Sequence, residues 1–91
     1  MSLLSRANRH FERKKNIEGA WDRATTVRGK NPETWRRDEA GNEIRKGSYG
    51  TQGEFGWEVD HHKPVAKGGT DDPRNLRALH HETNRKKSDK Y

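Results

Sequence analysis

Leu, Ile, Val and Phe together supply only 11 of the 91 residues, and this shortage constrains the fold more than any other feature of the chain. A domain this short buries a modest share of its surface, and so few aliphatic side chains cannot close a core by themselves. With 37% charged residues, composition alone sits near the disordered class. Three Trp, two Tyr and nine Gly pull the other way, because they fall where strands and turns are expected. A small aromatic core helped by a bound metal reconciles the two signals. The absence of cysteine removes disulfides and thiolate zinc sites from consideration.

The net charge of +6 is unevenly spread. Residues 1–30 carry +5, residues 31–60 carry −3 and residues 61–91 carry +4. An acidic middle between basic ends predicts a local electronegative site within a surface that attracts a polyanion. Leu3-Leu4 is the only apolar pair near the start, so no signal or membrane-spanning segment is read. A cytoplasmic protein without a membrane partner is expected.

Two parts are expected: a basic N-terminal segment over 1–33, helical or partly disordered, and a folded domain over 34–91. In the first, Leu3, Leu4, Ala7 and Phe11 make a thin helical stripe within residues 2–16. Residues 17–32 show no clear period, although Trp21 is expected to pack on the second part. Gly41-Asn42 is a turn dipeptide between Trp35 and Ile44, which predicts a short hairpin. "GWEVDH" alternates Trp57 and Val59 with Glu58 and Asp60, the pattern of a half-buried strand. Pro64 and Gly68-Gly69 end it, "NLRAL" is a second short strand, and "HHETNRKKSDK" has helical composition. The expected class is α+β.

On that C-terminal helix His80 and Asn84 are four apart and share a face. Brought against the end of the first strand, they join Asp60 in a small, incomplete coordination sphere that leaves room for water or substrate. Oxygen donors with one imidazole favour Mg²⁺ or Mn²⁺, with other divalent ions able to compete through His80. Adjacent strand residues point to opposite faces, so His61 stays off the metal yet close to it. There it can take a proton from water near neutral pH. Lys63, Lys67, Arg74, Arg85, Lys86 and Lys87 flank these residues and would hold a phosphate backbone without reading sequence.

The linked elements "DHHKPVAKGG…NLRALHHETNRKKS", residues 57–88, resemble the signature of the HNH (ββα-metal) nucleases. Four elements recur in order: Asp-His-x-x-Pro, Gly-Gly, Asn-Leu-x-x-Leu and the closing Asn-x-x-Lys-Ser. The resemblance implies a hairpin with a long intervening loop followed by a C-terminal helix, preceded here by the short hairpin and the basic segment. It implies His61 as general base and Asp60 as metal ligand. It implies Asn75 as the residue that ties the loop to the strand and positions His61, and Asn84 as a ligand through its amide oxygen. His80 matches a position that supplies a ligand in some branches, and either ligates the metal or orients a water. Glu58, on the strand face of Asp60, is a solvated acid or a support that orients an arginine near the phosphate. His62 falls where relatives keep an apolar residue, and His81 reads as a surface or packing residue. The structural zinc clamps of many small relatives are absent. Trp35, Ile44, Phe55, Trp57, Val59, Val65, Leu76 and Leu79 are left to hold the fold.

The expected activity is therefore metal-dependent hydrolysis of DNA by one divalent ion and a histidine base. A monomer or weak dimer would nick duplex DNA, leaving 5′-phosphate and 3′-hydroxyl ends. The rivals are a non-catalytic basic nucleic-acid-binding module on the same fold, and a structural metal-binding protein using Asp60 and the four nearby histidines.

Overall fold

The computed structural model describes residues 3–87, with side chains from residue 12 onward. The side chains of the Leu3, Leu4, Ala7 and Phe11 stripe, and Ser88 of the motif, lie outside the described residues.

Helix α1 (Leu3–Arg23) continues well past residue 16, where the sequence pattern faded. Ile17, Ala20, Trp21 and Ala24 follow helical spacing, and they meet Ile44, Trp57, Val59 and Ala78 in the core. Ala20 and Trp21 have no exposed surface. Propensity alone gives little reason for a helix through Gly19; packing of this one face against the second hairpin supplies it. The helix end is finished by a buried guanidinium. Arg36 Nη1 donates to Asp22 O at 2.9 Å and Ala24 O at 3.2 Å, and its Nε donates to Pro32 O at 2.9 Å. These bonds satisfy carbonyls that a helix C-terminus leaves open.

Strands β1 (Thr25–Thr26), β2 (Trp35–Arg37) and β3 (Glu43–Arg45) form an antiparallel three-stranded sheet in that order. Gly41 turns β2 into β3 at φ 87°, as expected of the Gly-Asn dipeptide. Strands β4 (Trp57–His61) and β5 (Leu76–His80) form a separate antiparallel hairpin, with Trp57 opposite His80, Asp60 opposite Arg77 and His61 opposite Leu76. Helix α2 (His81–Lys87) follows β5 without a linker. The class is α+β, and β4, β5 and α2 are the ββα unit.

The core answers the aliphatic shortage with indoles. Trp21 and Trp57 lie with ring centroids 5.3 Å apart and are both fully buried. Each removes on the order of 200 Å² from water, worth about 5 kcal/mol at 25 cal/mol per Å². Trp35 and Phe55 make a second, edge-to-face pair at 4.8 Å. Val65 does not join the core as the sequence suggested. It is 64% exposed, in a 3-10 turn directly after Pro64.

The join between β5 and α2 corrects a second expectation. His80 ends the strand rather than opening the helix, because its backbone pairs opposite Trp57. Its N–H donates to Asp38 Oδ2 at 2.9 Å, while Asp38 Oδ1 accepts from Asn42 N at 2.8 Å, so one buried carboxylate ties the first hairpin's turn to the second hairpin. The rings of His80 and His81 stack at 4.6 Å. They reach the loop before β4 through Glu54 O at 2.6 Å and Gly53 O at 2.8 Å.

Candidate functional site

Asp60 sits near the open end of β4, buried, directly across from Arg77. Arg77 Nε donates to Asp60 Oδ2 at 2.9 Å, and its Nη1 reaches Glu39 Oε2 at 2.7 Å. Burial works to lower the Arg77 pKa, but the bonds to Asp60 and Glu39 outweigh it and raise it, so the guanidinium stays charged. Lys87 Nζ lies 3.3 Å from Asp60 Oδ1 and 3.5 Å from the His61 carbonyl oxygen. Both carboxylate oxygens of Asp60 are therefore ion-paired. Lys87, expected among the phosphate contacts, is only 11% exposed and turns inward to Asp60.

Glu58 and Asp60 are two apart on β4 and share a face, and α2 brings Asn84 to Glu58. Asn84 Nδ2 donates to Glu58 Oε1 at 3.3 Å. The amide oxygen is the end not turned to Glu58. Glu58 thus orients an asparagine, where the sequence suggested an arginine. His80 does not join these groups. It lies three residues from Arg77 on β5, so it faces the opposite side of the hairpin. Its Nε2 meets Glu54 O, and its Nδ1 accepts from Glu82 N at 3.2 Å. Both ring nitrogens of His80 are engaged in these contacts.

His61 follows Asp60 and points to the other face. Its Nε2 lies 2.7 Å from Asp71 Oδ1. That pairing makes Nε2 the protonated nitrogen of the neutral ring and leaves the Nδ1 lone pair as the basic site. The loop from His62 to Asn75 that carries Asp71 is latched by Asn75. Its Oδ1 accepts from Lys63 N at 2.7 Å, and its Nδ2 donates to Lys63 O at 3.1 Å and Thr70 O at 2.7 Å. Its own carbonyl accepts from His62 N at 2.7 Å. The Gly-Gly pair serves the same loop. Gly68 takes φ 91°, and a Cβ on Gly69 would collide with the backbone of Lys63 and Pro64.

The resemblance to the ββα-metal nucleases implies a divalent cation, and the donor set fits one. Glu58, Asp60 and Asn84 bring hard oxygen donors to one face, and the Lys87 ammonium already lies against Asp60, where a cation is wanted. No group of three His, Cys, Asp or Glu is assembled among the described residues. Asn84, bonded to Glu58 at 3.3 Å, is the further oxygen-bearing side chain on this face.

Around this centre Lys63, Lys67, Arg74, Arg85 and Lys86 are exposed, and Arg74 is forked onto Asp72. Arg77, Glu39 and Asp71 escape a reading of the sequence. Their partners follow from the register of a hairpin closed by a long loop, which no local pattern reveals. The one available signal for Asp71 is its place in the Asp-rich turn beside the Gly-Gly pair. No described helix is long and apolar enough to cross a membrane.

Residues 50–90 match the family model described as HNH endonuclease. No curated protein and no solved structure matches the chain.

Proposed function

From the premise that residues 50–90 belong to the HNH endonuclease family, we propose that the chain is a metal-dependent DNA endonuclease that nicks duplex DNA. The Asp60–His61 step carries the reading. One residue faces the oxygen donors of Glu58 and Asn84, and the next faces Asp71 with its Nδ1 lone pair available.

His61 Nδ1 takes a proton from water while Nε2–H stays bonded to Asp71, whose carboxylate stabilises the imidazolium that forms. The hydroxide oxygen bonds to phosphorus and the P–O3′ bond breaks. The 3′ oxygen then takes a proton from solvent, leaving 5′-phosphate and 3′-hydroxyl ends. Asp60, Asn84 and Glu58 would hold a divalent ion, which when bound would supply Lewis-acid neutralisation of the charge that builds during cleavage. Asn75 keeps the His62–Asn75 loop, and with it Asp71, in place. Arg77 fixes the Asp60 carboxylate. Lys63, Lys67, Arg74, Arg85 and Lys86 hold the backbone without sequence readout.

Plasmid cleavage in EDTA, Mg²⁺, Mn²⁺ and Zn²⁺ tests this reading. Cleavage should require Mg²⁺ or Mn²⁺ and fall by about 10²–10⁴ in His61→Ala. His80→Ala should lower stability yet leave the metal preference unchanged. One observation favours the second reading, a non-catalytic nucleic-acid-binding module: both oxygens of Asp60 are already neutralised by Arg77 and Lys87. Tight DNA binding with no cleavage under any of these ions would select it.

A further inference from the structure

A cleft of about 560 Å³ opens between α1 and the hairpin, and His61 with Asp71 stand on its wall. Its floor is apolar. Val59 and Leu76 come from the hairpin, Ile17 from α1, and Tyr49 closes one side. Glu12, Arg13 and Asn16 of α1 supply the polar edge. Tyr49 is 39% exposed, high for an aromatic ring in a chain with so few apolar residues to spare. It is also rigidly mounted. Its ring meets Trp57 edge-on at 5.0 Å, its backbone bridges Trp57, and Gly50 N donates to Trp57 O at 2.9 Å.

We propose that this cleft accepts an unstacked nucleobase from the nucleotide beside the scissile phosphate. The inference rests on the endonuclease reading and adds a preference for single-stranded or locally distorted DNA. Three observations converge on a base as the occupant. The volume falls within the range of small-molecule sites, and its apolar walls with a few polar groups have their usual make-up. The histidine that serves the phosphate lies on the cleft wall, so a nucleotide whose phosphate is at His61 has its base within reach of the cleft. An exposed, fixed aromatic ring is the platform on which single-stranded bases stack, and the neighbouring guanidinium of Arg13 complements the backbone. A base inside an intact duplex cannot enter, because its faces are covered by its neighbours; it must be unpaired or turned out of the stack.

The test is equilibrium binding in EDTA, where no turnover is possible, to oligonucleotides carrying 2-aminopurine, as single strands and as duplexes. Stacking on Tyr49 should quench the single strand, and the protein should bind it more tightly than the paired form. Tyr49→Phe should keep the quench. Tyr49→Leu should lose it and weaken single-strand binding about 5- to 100-fold, the range of one stacked base, with duplex binding unchanged. Ile17→Glu, which puts a charge on the cleft wall, should do the same, and thermal unfolding of each variant confirms that it is folded. An equal quench in Tyr49→Leu, or equal affinity for single strand and duplex, overturns the proposal. Neither result touches the endonuclease reading, which stands or falls on metal-dependent cleavage lost in His61→Ala.

Discussion

Asn75 closes the active loop with a single amide, accepting from Lys63 N and donating to Lys63 O and Thr70 O. Asn75→Asp keeps the acceptor and loses both donors. At about 0.5–1.5 kcal/mol per net hydrogen bond, urea unfolding should show a loss of about 1–3 kcal/mol, and cleavage should fall further than stability because Asp71 loses its mooring. Lys87 poses a different question. Its ammonium at Asp60 opposes any divalent ion that binds there, since unit charges 4 Å apart interact by about 4 kcal/mol at an effective dielectric of 20. Solvent and rearrangement take up most of that. Lys87→Met should tighten Mn²⁺ binding roughly ten-fold, about 1.4 kcal/mol, by calorimetry without DNA. Unchanged or weaker binding would show that Lys87 does not compete for the site. At this scale the sequence is a good guide where chemistry is contiguous. The role of Asn75 as a loop tie was legible because it belongs to the same motif as the loop it closes. Arg77 and Asp71 were not, because each meets its partner only once the β4–β5 register is set, and the inward turn of Lys87 depends on where α2 lies against β4.

At the scale of elements, α1 is half of the core rather than an appendage. A basic helix over residues 2–16 was legible from its apolar stripe; its extension to Arg23 was not, because only Ile17, Ala20 and Trp21 mark the buried face and Gly19 interrupts it. The packing partner that rescues this turn is some forty residues away at Trp57. Trp21→Ala should cost about 3–5 kcal/mol, a large part of the 5–15 kcal/mol that stabilises an ordinary domain. Guanidinium unfolding should then show loss of the ββα unit together with α1, in one transition. Two transitions, with the hairpin surviving, would mean that the two parts fold apart. The start of α2 shows the opposite failure of local reading. "HHETNRKK" has helical composition from its first residue, yet pairing with Trp57 keeps His80 in the strand. That shift of one residue carries the His80 imidazole away from the face of Asp60 and Asn84 to the loop carbonyl of Glu54.

Over the whole molecule, the +6 charge acts through which cations face outward. On the proposed reading one site per chain would cut one strand, so supercoiled plasmid should pass through an open circle before it becomes linear; direct conversion to linear would point to paired active sites. Salt dependence separates the outward cations from the inward one. Each phosphate contact contributes about 0.9 to the slope of log Kobs against log salt on duplex DNA. Arg85 and Lys86 are exposed on α2, whereas Lys87, next along the same helix, is committed to Asp60. The double substitution Arg85→Gln, Lys86→Gln should therefore flatten the slope by about 1.8, measured by duplex binding in EDTA. Lys87→Met should leave it unchanged. A slope that falls by about 0.9 in Lys87→Met would place that ammonium on the DNA backbone, leaving Arg77 as the protein cation on Asp60 in the bound state.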